Sequence, residues 1–484
     1  MAVLLFLTFA AWSMGSAVGS SPDEGYVLTS IWCGETGATP DCRKDPDRYW
    51  GMILPIMAAE PHLCYVQLGQ DYSAACQEAI YNQEISTDEL NRGLYPETYM
   101  NVARKFVSSD IEGSVVRIRL FNSFVACVMI LFSLSINRRQ NSDLLVSWLA
   151  VISPVTTYFI SSVNTSSWTL IGTTCFIFAL IAAVRNRKNK KLLITASLLT
   201  VFSVWFTNSS RYEGKYLILL LGVTVICSEF APKNLQLNKK TALVGAAILR
   251  MFVFIYNYSA DVFSQGSRIN IFSDTRIEVT EGVKTTANNL LLQNFLNLPR
   301  FVMGFFGSWG LGWFDVEMTH TVWLFALQAF LLTTVFALYK SDNVRRTMFG
   351  GLFAVMCMAI LFANQQTFTK VGSVIQPRYF LPFFLGIVII AAANKTVRFP
   401  NSLVLTVAIL ATISNSIALR DTIRRYTTGQ DVFISKSLNN PREWWWNFGP
   451  APETVWLIGS LAFAMLFAVI IYERKFESAE TASI

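Results

Sequence analysis

The chain has 484 residues, of which 53% are hydrophobic and only 15% are charged, well below the roughly 25% charged residues of soluble domains. This composition excludes a soluble globular protein and makes the lipid bilayer the first partner of the chain. The net charge of +7 does not indicate a nucleic-acid partner, because the basic residues form short clusters between apolar runs and no continuous basic face.

Apolar runs long enough to cross the hydrocarbon core of a bilayer recur along the whole chain. A helix of about 20 residues rises about 30 Å, which matches the thickness of that core. We therefore predict an all-α polytopic membrane protein with about twelve transmembrane helices and a large extracytoplasmic loop after the first helix. The predicted runs are 2–19, one from Leu120, 144–160, 167–184, 192–207, 215–230, 241–258, 321–338, 347–363, 382–394, 402–419 and 454–472.

These runs divide the chain into segments with different surroundings. The segments are a first transmembrane helix (1–19), an extracytoplasmic loop domain (20–118), transmembrane helices two to seven (119–258), a second extracytoplasmic loop with an interfacial helix (259–320), helices eight to eleven (321–419), a third loop (420–453), and the last helix with its tail (454–484). Because long loops carry binding and catalytic residues, we expect function to lie in the three extracytoplasmic loops.

Basic clusters orient the predicted helices. If the amino terminus is cytoplasmic, each predicted cytoplasmic connection and the carboxyl tail carry at least two Lys or Arg residues. The short connections on the other side, 162–166 and 208–214, contain a single basic residue, Arg211. The positive-inside rule therefore predicts that both termini are cytoplasmic. The first run has no basic flank, so a signal peptide is the alternative to a retained first helix.

The cysteines follow the same division. Cys33, Cys42, Cys64 and Cys76 all lie in the first loop, on the oxidising side of the membrane, where disulfides persist. We predict that Cys33 pairs with Cys42 and Cys64 with Cys76, one of three possible connectivities. No metal site is predicted, because the cysteines and the two histidines lack zinc-type spacing.

Two adjacent carboxylates, Asp23 and Glu24, follow the first run in the segment 21–24 (SPDE). A carboxylate in a partly desolvated cleft at the membrane boundary gains proton affinity and can act as a general base toward an acceptor hydroxyl. The alternative is that both acids cap the helix that follows, where negative charge favours the helix dipole.

Three segments together resemble one protein family. They are 21–24 (SPDE), 310–315 (GLGWFD) and 376–382 (QPRYFLP), and they resemble the bacterial membrane family called the domain of unknown function numbered twenty-one forty-two, which looks like a branch of the GT-C glycosyltransferase superfamily. The likeness spans residues 21 to about 395. It implies a GT-C-like fold, a multi-pass location in the bacterial cell membrane, and transfer of a sugar from a polyprenyl-phosphate donor to an extracytoplasmic envelope acceptor, whether a glycan, a glycolipid or a protein.

The resemblance implies roles for the candidate residues. Asp23 becomes the leading catalytic base, with Glu24 as its neighbour. The donor phosphate is both handle and leaving group, so the site needs cations. The candidates for phosphate binding are Arg378, Arg250 and Arg211, and the candidates for substrate binding are Tyr379, Trp313 and Asp315.

Each arginine also has a structural alternative. Arg378 and Arg211 lie at predicted helix ends, where a long side chain can snorkel to the interface. Arg250 falls near the middle of the predicted seventh helix, where a charge needs either a cavity or a protein partner.

Other classes of function remain as alternatives. A multi-span transporter is one, although the expected pattern of two six-helix halves with a cytoplasmic linker is missing. A non-catalytic envelope-assembly protein is the other. The sequence requires no cofactor, and a divalent cation at Asp315 and Glu317 stays open.

Overall fold

The computed structural model describes residues 1–34, 39–66, 68–137, 141–230, 287–373, 375–430 and 437–482. Helices dominate these residues, in agreement with the predicted helical membrane class. Seven of the described helices are long and apolar enough to cross a membrane, and eight if one bent pair is counted as a single span. The described residues therefore do not confirm the predicted twelve, and the seventh predicted run, 241–258, lies outside them.

Short helices and strands alternate in the first part of the chain, and long helices make up most of the remainder. The first part contains helices Ala2–Met14 and Glu24–Cys33, strands Arg43–Lys44 and Met52–Pro55, helices Ile56–Ala59 and Cys76–Ile80, strand Glu84–Thr87, helix Glu97–Ala103 and a 3₁₀ turn Arg104–Phe106. The remainder contains helices Ile111–Ser135, Asn141–Val151, Pro154–Ile160, Thr165–Arg185, Lys190–Asn208, Gly214–Phe230, Ala287–Gly304, His320–Lys340 and Asn343–Gln366, a 3₁₀ turn Pro377–Tyr379, and helices Leu381–Ala392, Asn401–Thr427 and Pro452–Ala482.

Two predicted transmembrane runs form helices that are too short to span. Ala2–Met14 has 13 residues and Leu381–Ala392 has 12. At about 1.5 Å per residue each rises about 20 Å or less, against a hydrocarbon core of about 30 Å. The helix Ala2–Met14 packs between Ile111–Ser135 and Pro452–Ala482. Apolar length alone did not predict how much of each run would be helical.

The predicted run 144–160 is broken into two helices. Asn141–Val151 and Pro154–Ile160 meet at 96°. The cause is Pro154, since proline lacks an N–H donor and disfavours helical geometry in the residue before it. Ser153 begins the second helix, and its side chain accepts a hydrogen bond from the backbone N–H of Thr156. This break carries the second helix out of the line of the first.

One end of the helix bundle is held by buried ion pairs. Glu229, at the end of Gly214–Phe230, accepts hydrogen bonds of 2.5 Å from both Arg185 and Arg345. These two arginines come from the end of Thr165–Arg185 and the start of Asn343–Gln366. Three helices are therefore joined through one carboxylate.

A second ion cluster lies beside the first. Asp143 accepts from Arg398 at 2.9 Å and from Arg474 at 2.7 Å. Both clusters involve the end of Leu381–Ala392 or the segment that follows it. Arg345 of the first cluster donates to the Ile390 carbonyl at 2.7 Å, and Arg398 of the second lies in the following segment. Segments that the sequence places on the cytoplasmic side thus meet at one end of the bundle, and their sidedness stays a prediction.

This sidedness can be measured by cysteine labelling in intact cells. We expect Asp71→Cys to react with a membrane-impermeant maleimide, because Asp71 is exposed in the predicted extracytoplasmic domain. Lys188→Cys, at an exposed position in a basic cluster, is expected to react only after the cells are opened. The reverse pattern would invert the topology.

The domain at 20–118, predicted to be extracytoplasmic, contains a small antiparallel sheet. Its strand order is Arg43–Lys44, Met52–Pro55, Glu84–Thr87, with Met52 opposite Thr87. Met52 and Leu54 are buried and alternate with less buried neighbours, as expected for a strand with one packed face. The strand Met52–Pro55 leads into Ile56–Ala59, which packs on Glu24–Cys33.

Two disulfides brace the same domain. They join Cys33 to Cys42 and Cys64 to Cys76, with Cα atoms 5.2 and 5.8 Å apart, which is the predicted local pairing. The bridges close loops of 9 and 12 residues in sequence separation.

Peptide mapping without reductant is expected to recover both cross-linked pairs of cysteines. Each disulfide is expected to contribute about 2–3 kcal/mol to the stability of the domain. Ser substitution of Cys64 and Cys76 together should lower the unfolding temperature of the purified protein, whereas Ser at the buried Cys175 removes no cross-link. Four free thiols in the first loop of protein purified without reductant would contradict the pairing.

The amphipathic helix Ala287–Gly304 positions the segment that leads to Arg378. Its Asn294 side chain donates to the Thr369 carbonyl at 3.0 Å and accepts from the Val371 N–H at 2.9 Å. The outer face of this helix presents Leu292 and Phe295. An apolar outer face suits lipid contact, and the interfacial position expected for a helix in this region stays a prediction.

Candidate functional site

Asp23 lies at the turn that leads into Glu24–Cys33. It is the N-cap of that helix and has φ +63°, in the left-handed region. Asp and Asn enter this region more readily than other non-glycine residues, at a cost on the order of 1 kcal/mol. Such a conformation persists when surrounding contacts hold it. The side chain is 36% exposed, so the carboxylate is fixed by its backbone and still open to solvent.

Arg378 binds this turn from the 3₁₀ segment Pro377–Tyr379. Its Nη2 donates to Asp23 Oδ2 at 2.7 Å, and its Nη1 donates to the Pro22 carbonyl at 2.9 Å. Nη2 also lies 3.1 Å from the Tyr379 hydroxyl. The side chain is only 4% exposed. The structure therefore brings together two of the segments, 21–24 and 376–382, through residues that are 355 positions apart in sequence.

Arg211 approaches the same place from the connection between Lys190–Asn208 and Gly214–Phe230. It donates to the Ser166 hydroxyl at 3.0 Å and to the Tyr95 hydroxyl at 3.4 Å. Its guanidinium carbon lies 5.3 Å from the ring centroids of both Tyr95 and Tyr379, and that of Arg378 lies 5.0 Å from Tyr379. Tyr379 is thus contacted by two cations.

The charges of this cluster are incompletely matched. Arg378 pairs with Asp23, whereas the carboxylate within 4 Å of Arg211, among the residues described, is the largely exposed Glu213 at 3.8 Å. The Nε atoms of both arginines are buried and have no hydrogen-bond partner among the described residues. Buried cations are costly unless paired. The cluster is therefore suited to bind an anionic group.

A glycine-rich loop closes over Arg378. A Cβ atom on Gly304 would lie 2.5 Å from Pro377 Cγ, so only glycine permits this approach. Between loop and arginine is a cavity of about 20 Å³, enough for a water molecule. The cavity is lined by Val155, Phe159, Gly304, Trp309, Gly310, Leu311, Gly312, Phe314, Gln376, Pro377 and Arg378. Part of the 310–315 segment thereby joins the site.

Glu24 points away from Asp23 into the protein. It is completely buried, and its Oε1 accepts from Arg119 at 2.9 Å. Its Oε2 accepts from the Ser21 N–H at 2.8 Å, a hydrogen bond that closes the turn before the helix. Burial raises the pKa of the Glu24 carboxyl, and the charge of Arg119 opposes that rise. These contacts fix the turn, and the catalytic role implied for Glu24 as the neighbour of Asp23 stays a prediction.

Trp313 and Asp315 lie in a neighbouring cluster, and the structure shows no hydrogen bond or ion pair from either to Asp23 or Arg378. Trp313 stacks on His62, with ring centroids 4.4 Å apart, and donates to the Gly19 carbonyl at 2.9 Å. Asp315 is buried 3.3 Å from Arg425, and burial raises its pKa to about 6. Among the described residues no group of three or more His, Cys, Asp or Glu side chains is arranged to hold a metal.

Two buried arginines were missed by the sequence analysis. Arg119 donates to the carbonyls of Ser16 and Ala17 at 2.6 and 2.7 Å, besides its bond to Glu24. Arg425 similarly donates to backbone carbonyls, including that of Tyr65 at 3.1 Å. Arg119 sits within Ile111–Ser135, and a charge inside an apolar helix is a readable signal that a partner exists. Tyr95 has no comparable signal in the sequence.

Arg250 lies outside the described residues, so its predicted role as a phosphate ligand stays a prediction. Comparison with known families matches residues 6–387 to the family described as "Predicted membrane protein (DUF2142)". No curated protein and no solved structure matches the chain.

Proposed function

Since the chain belongs to the DUF2142 family of predicted membrane proteins, we propose that it is a membrane glycosyltransferase of the GT-C type. It transfers a sugar from a polyprenyl-phosphate donor to an extracytoplasmic acceptor of the bacterial cell envelope. One observation carries the proposal: a solvent-accessible carboxylate, Asp23, lies 2.7 Å from the buried Arg378, with Arg211 against the same tyrosine ring.

The proposed reaction assigns each group one task. The acceptor oxygen bonds to the anomeric carbon of the sugar while the bond from that carbon to the phosphate oxygen breaks. Asp23 takes the proton of the acceptor hydroxyl. The phosphate leaves with the bonding electron pair, and Arg378 and Arg211 stabilise its charge. Glu24 has a positioning role, because it ties the Asp23 turn to Arg119.

The ion pair between Asp23 and Arg378 suits a reaction in which the donor binds before the acceptor is deprotonated. A donor phosphate competes with Asp23 for the Arg378 guanidinium, and that competition frees the carboxylate to face the acceptor. Tyr379, 41% exposed beside both arginines, is placed to contact the sugar or the phosphate. A base that is released only when donor is bound would deprotonate the acceptor only when a sugar is present to receive it.

Donor binding tests the phosphate role directly. We expect Arg378→Ala to weaken binding of undecaprenyl phosphate by about tenfold to a hundredfold, since hydrogen bonds to charged groups contribute about 1.5–3 kcal/mol. Binding would be measured by titration of the full chain in nanodiscs. Arg378→Lys keeps the charge but not the two-pronged geometry, so an intermediate loss is expected.

The control for this titration is Arg43→Ala, which removes an exposed arginine paired with Glu84 and should leave affinity unchanged. Each variant is first checked for wild-type elution and unfolding temperature. A folded Arg378→Ala protein that binds undecaprenyl phosphate as tightly as wild type would remove the phosphate assignment.

A further inference from the structure

Two large aromatic side chains stand on the surface of the extracytoplasmic domain. Tyr49 is 77% exposed and Trp50 is 59% exposed. Their rings meet edge to face with centroids 4.6 Å apart. Adjacent exposed aromatic residues on a folded domain mark a place that binds something.

The surface is held in place by the turn that carries it. Asp45 Oδ1 accepts from the Asp47 N–H at 2.9 Å, and the Asp45 N–H donates to the Gly51 carbonyl at 2.9 Å. Arg92 stacks over the Trp50 ring at 4.8 Å and donates to the Trp50 carbonyl at 3.1 Å. A ring fixed in this way loses little conformational entropy when a ligand binds.

The two rings line a groove with polar walls. Its volume is about 430 Å³, and its lining is Arg48, Tyr49, Trp50, Gly51 and Asp88. Two exposed aromatic rings set nearly at right angles, beside a guanidinium donor and a carboxylate acceptor, match sugar rings, which have apolar C–H faces and a rim of hydroxyl groups. Around the rings, the cations Lys44, Arg48 and Arg92 are matched in number by the acids Asp47, Asp88 and Glu89, so no excess of positive charge favours an anionic lipid surface.

A series of side-chain contacts runs from this groove through the domain to Asp23, and two of its members, Asn91 and Tyr95, are buried. Asn91, next to Arg92, accepts from the Tyr26 hydroxyl at 3.3 Å. The Tyr26 ring lies 6.0 Å from Tyr95, which Arg211 contacts. From Arg211 the series reaches Tyr379 and the Asp23–Arg378 pair.

Carboxylates beside the groove interact electrostatically with Asp23. Asp88 lines the groove, and Glu89 follows it in the sequence. Partial desolvation raises the pKa of the Glu89 carboxyl, and the negative charges of Glu60, Asp88 and Asp23 raise it further. Asp23 is therefore within electrostatic reach of the residues beside the groove.

We propose that Arg48, Tyr49, Trp50, Gly51 and Asp88, which we name the Tyr49–Trp50 platform, bind an oligosaccharide acceptor whose end extends toward Asp23. Of the acceptors allowed by the proposed function, a glycan, a glycolipid or a protein, this site selects a glycan. The inference therefore rests on the proposed function. Sugar units stack on Trp50 and Tyr49, while Arg48 and Asp88 hydrogen-bond their hydroxyl groups.

The test is binding of soluble oligosaccharides to the full chain in nanodiscs, measured by saturation-transfer NMR. The panel contains four- to six-unit chains of hexoses, pentoses and amino sugars. We expect at least one chain to bind wild type and Trp50→Ala to weaken it about tenfold. Trp50→Phe, which keeps a ring, should restore most of the affinity. Tyr72→Ala, at a 55% exposed aromatic of the same domain, should bind as wild type does.

Each remaining outcome decides the proposal. The proposal is overturned if no oligosaccharide of the panel binds wild type, or if Trp50→Ala binds with wild-type affinity. The Trp50 signal is the difference in fluorescence between wild type and Trp50→Phe, since the chain has 13 tryptophans. Quenching of that difference by brominated lipid, without relief by sugar, would assign the platform to the membrane surface and also overturns the proposal. Asp23→Asn should still bind the oligosaccharide. If that variant both binds and transfers sugar normally, the proposed reaction fails while the glycan site stands.

Discussion

Asp23→Asn is expected to lower sugar transfer by about 10²–10⁴-fold, the usual contribution of a general base. Asparagine has the same shape and tolerates the left-handed backbone at φ +63°, so the turn should stay folded. It cannot take up the acceptor proton. Transfer would be followed in proteoliposomes or by comparing envelope glycans, and accumulated polyprenyl-phosphate sugars, in cells with wild type and variant.

The matched control is Asp71→Asn, an exposed acid of the same domain. It should transfer sugar at the wild-type rate. A wild-type rate in Asp23→Asn would end the catalytic assignment. A non-catalytic assembly protein would show no transfer with either chain, and a transporter would move its substrate without forming a glycosidic bond.

Arg119→Ala is expected to cost about 3–5 kcal/mol of stability, because it leaves the Glu24 carboxylate buried without its counter-ion. Arg119 and Glu24 both have fully buried side chains 2.9 Å apart. The measurement is the unfolding transition of the protein in detergent. Arg43→Ala, which breaks the exposed pair with Glu84, should barely move it.

A companion substitution separates the ion pair from packing. Replacing both Arg119 and Glu24 with apolar residues of similar size should cost less than Arg119→Ala alone, since no unpaired charge remains. If Arg119→Ala unfolds at the wild-type temperature, the pair does not hold the Asp23 turn.

The broad class of the fold follows from composition, while the lengths of individual helices do not. The apolar composition predicted a membrane protein, because the free energy of moving a side chain from water into the bilayer depends mainly on its residue type. The break at 96° was also readable, since Pro154 stands in the middle of run 144–160. The short helix Ala2–Met14 was not, because its end depends on how residues 15–23 pack against Ile111–Ser135 and on the Arg119 hydrogen bonds.

The candidate site divides in the same way. Asp23 and Arg378 were singled out by position and by resemblance, but their 2.7 Å contact depends on tertiary packing that no local pattern contains. The role of Glu24 was inferred from adjacency, yet successive residues at the start of a helix point in different directions. Tyr95 contacts Arg211 through that same packing, which is why it went unnoticed.

The burial of Glu24 beside the open Asp23 affects how genetic screens of this segment should be interpreted. Asparagine at position 23 and alanine at position 24 are both expected to abolish activity, but for different reasons: the first removes a reactive group, and the second releases the turn that positions it. Activity alone would score the two losses as equal. The amount of folded protein recovered per cell distinguishes them, because only the Glu24 variant should be depleted.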